Sequence, residues 1–293
     1  MAPTDDALDF YAAPGPMTDL TAHAEALRGA PTDPVGIAAM VQGLLVHPHW
    51  AAAYDVHDVD VRQAELQARG AAAMLAGVLE RDSRPLTEAR DPGGRFLGNC
   101  RDFSTLSVAL LRRAGTPARA RCGFGGYFEP GKWVDHWIVE HWNGERWVQL
   151  DAQLDTLQSD ATGVADPTDL PVDHFLSAGE AWQRTRSGEF DPDTFGILDM
   201  WGAWFISGNV GRDLASLNKV EMLPWDDWGA LAGDETTAAA DTLVDEISTL
   251  LLTDDTAAIR SRYEANARFR VGPEVMSLTE TGEWGPSPVL ELA

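Results

Sequence analysis

Cys100, His136 and Asp151 are residue types that together can make and break acyl bonds, and they occur in that order along the chain. A thiol attacks a carbonyl as the thiolate, and a free cysteine has a pKa of about 8.5. The partial positive charge of a helix N-terminus, or a neighbouring imidazolium, lowers that value. The imidazole then carries the proton, and a carboxylate fixes its tautomer and orientation.

Three kinds of element must bring these residues together. Cys100 opens a predicted helix in which Phe103, Leu106, Val108, Leu110 and Leu111 are apolar; Arg112 and Arg113 lie near its C-terminal end, and Gly115 closes it. After Pro117 the pattern changes to alternation. Ala118 to Gly123, Lys132 to Trp142 and Arg146 to Leu150 read as three strands, with His136 within the second and Asp151 at the end of the third. Asn143-Gly144 is a hairpin signal that lays the last two strands side by side. Asn99 is placed to cap the helix, to help the Cys100 backbone N–H hold an oxyanion, or to do both. His141 is five residues from His136 in the same strand and points to the opposite face, so it is expected at a surface or facing a partner.

Gly98-Asn99-Cys100-Arg101-Asp102-Phe103-Ser104 and Leu110 to Arg119, which includes Ala114-Gly115-Thr116-Pro117-Ala118-Arg119, resemble the core signature of the transglutaminase-like superfamily. Asp135-His136-Trp137 resembles that family's histidine strand, and Trp147-Val148-Gln149-Leu150-Asp151 its Trp-x-x-x-Asp strand. The resemblance implies a papain-like α+β fold class, with a Cys-bearing helix packed on an antiparallel sheet. It also implies Cys100 as nucleophile, His136 as general base and acid, and Asp151 as the orienting carboxylate. Where the family often continues Asp-Pro-Thr, this chain has Asp151-Ala152-Gln153-Leu154-Asp155, which makes Asp155 a rival for the third role.

Other patterns are weaker. His47-Pro48-His49 and His57-Asp58 hint at a metal, but their spacing fits no helical ligand pair and they read as loop or cap residues. No calcium loop is present, and no metal or cofactor is expected. Gly123, Gly125 and Gly126 follow a strand but precede a turn, not a helix, so they are not a phosphate loop. Trp137 directly follows the histidine and is a candidate wall of the cleft. Trp201 and Trp204 read as core residues or as the lining of an apolar acyl or side-chain pocket. With Asn99 these three are the substrate-binding candidates. Cys122, within a strand, reads as structural.

The 293 residues carry a formal charge of −24 and are 44% hydrophobic. That field opposes nucleic acid and anionic membranes as partners. No apolar run reaches the roughly 18–20 residues of a membrane span. The acidic N-terminus resembles no secretory signal, and two cysteines make no disulfide framework, so a cytoplasmic chain is expected. One unit over residues 1–293 is expected: N-terminal helices at 19–94, the core at 95–155, a Trp-rich extension of short helices and loops at 156–230, and an acidic helix with an extended tail at 231–293. Within the N-terminal region, helices are expected over Leu20 to Leu27 and Val35 to Val46, and one long helix over Val59 to Glu80. The expected function is acyl transfer through a Cys100 thioester on a small-molecule, peptide or protein-amide substrate. Hydrolysis is favoured; transfer to an amine is the alternative, and a non-catalytic binding domain the third reading. The sequence leaves the oligomeric state open.

Overall fold

Asn99 and Asp102 decide where the helix bearing Cys100 begins. Asn99 Oδ1 accepts from the Asp102 backbone N–H at 3.2 Å, and Asp102 Oδ2 accepts from the Asn99 backbone N–H at 2.9 Å. Such a reciprocal cap satisfies two orphan helix donors and is worth about 1 kcal/mol. The helix ends at Arg113, and Gly115 just beyond it turns the chain with a φ of 84°, which suits a residue without a Cβ.

The computed structural model describes residues 3–229, 238–267, 269–279 and 281–290. In chain order its elements are α1 (Asp5–Ala12), α2 (Pro34–Leu44), β1 (Leu45–Val46), α3 (Ala71–Arg81), β2 (Phe96–Leu97), α4 (Cys100–Arg113), β3 (Ala118–Gly125), β4 (Trp133–Trp142), β5 (Trp147–Leu150), α5 (Thr156–Thr162), β6 (Phe175–Ser177), α6 (Ala178–Arg186), β7 (Phe195–Ile197), β8 (Met200–Trp201), α7 (Ala203–Leu217), α8 (Ala238–Leu251), α9 (Thr256–Ala265), β9 (Glu274–Leu278) and β10 (Trp284–Pro288). The fold class is α+β.

Among the described residues six strands form the main sheet, in the order β6-β3-β4-β7-β8, with β5 also on β4. β3 and β4 are antiparallel, in a register that sets Cys122 opposite Trp137 and Gly123 opposite His136. β5 pairs the last residues of β4 and β7 pairs its first two, so both occupy the edge away from β3. α4 lays Phe103, Leu106 and Leu110 against Ala120, Cys122 and Trp137 of the sheet. Each such large apolar side chain stabilises by about 1.5–3 kcal/mol when fully buried. A second core joins Phe124 and Phe195 of the sheet to Trp182 of α6, Phe205 and Ile206 of α7, and Ile247 of α8.

The structure corrects several expectations. Leu20 to Leu27 holds one 3-10 turn, Thr21–His23, in place of a helix. The long helix over Val59 to Glu80 is broken into 3-10 turns at Val59–Val61 and Gln63–Gln67 before α3 begins. Arg62 accounts for part of the break: it is buried and bonded to Asp58, Glu65 and the Arg95 carbonyl, which ties this stretch to the loop before β2. Gly70 then caps α3 in extended conformation. In the Trp-rich stretch, α7 runs unbroken through Gly208 and Gly211, and β6, β7 and β8 extend the sheet. The acidic segment carries two helices, α8 and α9, divided at Asp254, whose φ is 59°; residues 230–237 lie outside the described residues. The tail is an antiparallel hairpin of β9 and β10, and its Met276 bridges to Asp227. Among the described residues no helix is long and apolar enough to cross a membrane.

Candidate active site

β4 and β5 bring His136 to Asp151, at 2.8 Å from Nε2 to Oδ2. The same carboxylate oxygen accepts the Tyr127 hydroxyl at 2.6 Å, while Oδ1 accepts the Gln153 backbone N–H at 3.0 Å. With Asp151 ionised, Nε2 is the protonated nitrogen of a neutral His136 ring, and Nδ1 is the bare one. Burial, followed by the Asp151 charge, pushes the Tyr127 hydroxyl well above its ordinary pKa, so it remains a donor. His136 is 2% and Asp151 1% exposed. The Phe128 ring meets the imidazole edge-on, 4.8 Å between centroids. Gly123, opposite His136, is required by close approach: a Cβ there would lie 2.1 Å from the Leu176 carbonyl oxygen of β6.

Cys100 is the first residue of α4, the helix packed on this strand. The Trp137 backbone N–H donates towards its sulfur, which sets the thiol beside the residue following His136. Among the described residues His136 bonds Asp151, and no hydrogen bond joins it to Cys100. The expectation of a lowered thiol pKa is corrected. Burial, and next the Asp135 carboxylate, push Cys100 well above the ordinary thiol range, and the Trp137 N–H opposes them only in part. Desolvation of the thiolate outweighs the helix terminus here. Burial also lifts Asp102 to about 6, against the pull of Arg101 and the Asn99 amide.

Cys100 and Asn99 open onto a cavity of about 770 Å³ with a mainly apolar wall that includes Leu66, Trp204, Phe205 and Trp225. Asp135 lines it too; burial raises its carboxyl, and Asn209 Nδ2 donates to Oδ1 at 2.7 Å. Neither His136 nor Asp151 lines this cavity.

The remaining sequence candidates fall as follows. Asn99 caps α4 through Oδ1, and its Nδ2 is buried without a partner among the described residues. Trp204 lines the cavity. Trp201 does not; its indole lies under Lys132, whose Nζ is 4.4 Å from the ring centroid. Gly202 ends the strand holding Trp201 and caps the helix holding Trp204, so the two indoles do not share a helical face. Trp137 is wholly buried in the core beneath α4 and does not line the cavity, because alternation sends its side chain to the face opposite His136. Asp155 caps α5, accepting from the Gln158 backbone N–H at 3.1 Å. His141 is buried rather than superficial, paired across the sheet with Ala118 and Val148. Cys122 is buried and free. Among the described residues no group of histidine, cysteine and acidic side chains could hold a metal.

Tyr127, Phe128 and Gln153 were not singled out by sequence reasoning. The Gly125-Gly126-Tyr127-Phe128 run between two strands was the available signal, since small residues there let the following aromatics fold back over the sheet.

Residues 79–152 match the model of the transglutaminase-like superfamily, a stretch that holds Cys100, His136 and Asp151. Among solved structures the chain is similar to "a Putative Cysteine Protease from Cytophaga hutchinsonii", at 15% identity and a TM-score of 0.37, over 60% of this chain and 46% of that one. The chain thus covers under half the length of that structure. No curated protein matches it.

Proposed function

From a chain that carries a transglutaminase-like superfamily segment at residues 79–152, we propose a cysteine-dependent enzyme that transfers acyl groups through a thioester on Cys100. The observation that carries this reading is the Tyr127–Asp151–His136 chain ending in a bare Nδ1, beside a helix whose first residue is a thiol open to a cavity.

Cys100 Sγ adds to the carbonyl carbon of an amide, peptide or thioester as its proton passes to His136 Nδ1. The carbonyl π pair moves to oxygen. Collapse re-forms the C=O bond and breaks the bond to the leaving group, which takes the proton from His136. Water then adds to the thioester, giving its proton to His136. The acid departs as the proton returns to sulfur. Because burial holds the thiol neutral at rest, proton transfer accompanies attack instead of preceding it.

Water as acceptor makes the enzyme a hydrolase of the peptidase or amidase kind, the reading preferred here. The apolar wall of the cavity, which keeps water scarce at the thioester, supports an amine acceptor as the second reading.

The test uses p-nitrophenyl acetate as acyl donor and intact mass as readout. One acetyl adduct on Cys100, absent in Cys100→Ala, is expected. Its decay in buffer, compared with decay in added n-butylamine, separates hydrolysis from transfer. An adduct elsewhere, or one that persists in Cys100→Ala, overturns the proposal.

A further inference from the structure

We propose that His47 is a further catalytic residue of this site, whose Nε2–H donates a hydrogen bond to the substrate carbonyl oxygen as charge develops on it. The inference rests on the acyl-transfer reading and adds a residue to it.

The backbone sets His47 near Cys100. β1 pairs in parallel with β2, Val46 opposite Leu97, and the Gly98 N–H donates to the Val46 carbonyl at 3.1 Å. The chain leaving β1 at His47 therefore runs beside the chain leaving β2 towards Asn99 and Cys100. His47, Asn99 and Cys100 line the same cavity.

The ring's tautomer follows from one bond. His47 Nδ1 accepts from the His49 backbone N–H at 3.1 Å, where His47 caps the 3-10 turn Pro48–Tyr54. A backbone N–H can only donate, so Nδ1 carries no hydrogen and a neutral ring has it on Nε2. Pro48 fixes the turn, and the His49 ring braces the imidazole edge-on with centroids 5.2 Å apart. Burial, with smaller contributions in the same direction from His49 and His136, holds His47 well below the ordinary imidazole range. A neutral imidazole can stabilise an oxyanion by donation and keep its proton.

The site needs such a donor. The backbone N–H of Cys100, in the first turn of α4, has no carbonyl of its own helix to pair with. Asn99 Nδ2 is buried and unpartnered among the described residues. His47 Nε2 completes a cradle around one oxygen, while the reacting proton travels separately between Sγ and His136. In this step His47 forms and breaks no covalent bond.

The experiment compares wild type, His47→Phe and His47→Gln in two reactions of Cys100. One is acetylation by p-nitrophenyl acetate, which builds an oxyanion. The other is alkylation by iodoacetamide, which does not. His47→Phe should slow acetylation by about 10²–10³-fold and leave alkylation within about twofold, the pattern of a lost oxyanion donor. His47→Gln, which keeps an N–H, should recover part of the loss. Equal slowing of both reactions would mean that His47 only shapes the thiol's surroundings, and unchanged acetylation would mean no role; either overturns the proposal. If wild type itself gains no acetyl group on Cys100, the acyl-transfer reading falls and the role of His47 with it. If wild type is acetylated but His47→Phe behaves identically, only the His47 inference falls. Should His47→Phe fail to fold, His47→Ala, which also lacks a donor, takes its place in the same two reactions.

Discussion

One face of β4 carries two buried polar clusters, centred four residues apart on His136 and Glu140. At Glu140 every charge is answered. Its Oε2 accepts from Arg119 Nε at 2.7 Å and Arg121 Nη1 at 3.1 Å. Arg121 then grips both oxygens of Asp213 on α7, at 3.0 and 2.9 Å, and Asp213 also accepts the Cys122 backbone N–H. Arg119 reaches on to Asp254 at 2.6 Å. At His136 the hydrogen bonds converge on Asp151, and among the described residues one ring nitrogen is still to be used. Burial and perturbed ionisation are common to both clusters, so neither property identifies a reactive site. What distinguishes the His136 cluster is an unspent valence on the strand against which the Cys100 helix packs. The Glu140 cluster instead fastens α7 and the loop before α9 to the sheet.

The largest test of that distinction removes each cluster's centre in turn. His136→Ala should lower the rate of Cys100 acetylation by roughly 10⁴-fold or more, as removal of a triad base does in comparable systems. Loss of a buried, hydrogen-bonded ring should also cost about 1–3 kcal/mol of stability, far less than the fall in rate, which is read per folded molecule. Equal loss of stability and rate would make the His136 cluster structural as well.

Glu140→Gln should do the reverse. Burial alone would raise the Glu140 carboxyl, but Arg121 and Arg119 outweigh it and hold the group at about 2, against an ordinary 4.5. Between those values the folded chain binds fewer protons than the unfolded one. The carboxylate's stabilisation is therefore complete above pH 4.5 and lost as pH falls through 2. At pH 7 the variant should be less stable by about 3 kcal/mol, and the gap should close under acid. Urea titrations at pH 7, 4 and 2.5 measure it, with the acetylation rate per folded molecule unchanged. A gap independent of pH would show that the Glu140 charge is not what holds α7.

The contrast between the clusters also marks what could be read from the chain. The run from Cys100 to Leu150 was legible because its signals are local: a cap, an apolar stripe, Arg112 and Arg113 before Gly115, then alternating residues about Asn143-Gly144. Those same signals order Cys100, His136 and Asp151. The later elements depend on distant partners. α7 runs through Gly208 because Ile206, Val210 and Leu214 bury its apolar face in the second core, and a lone glycine in a sequence gives no hint of this. Trp201 and Trp204 have helical spacing, yet Gly202 stands between a strand and a helix. The thiol's ionisation is hidden from the sequence for the same reason. A helix start is visible in sequence, but the burial that overrides it is a property of the packed site. The β9–β10 hairpin is hidden in another way: it buries Val275 and Ser277 and exposes Met276 and Leu278, so its burial alternates without a matching alternation of residue type.

Tyr127→Phe gives the smallest and sharpest comparison, because it removes one oxygen and leaves the ring that packs against Phe128. If the hydroxyl holds Asp151 in place for His136, its loss should lower kcat about tenfold, roughly 1.4 kcal/mol, with KM unchanged. Asp151 keeps its bonds to His136 and Gln153, which limits the loss to that size. Tyr127 acts through Asp151 and is a positioning residue. A merely structural role predicts a lower unfolding free energy with kcat intact. A change in KM alone would mean that Tyr127 meets the substrate. Only a fall in kcat at constant stability places the hydroxyl in the same relay as the bare nitrogen of His136, the feature that the saturated Glu140 cluster lacks.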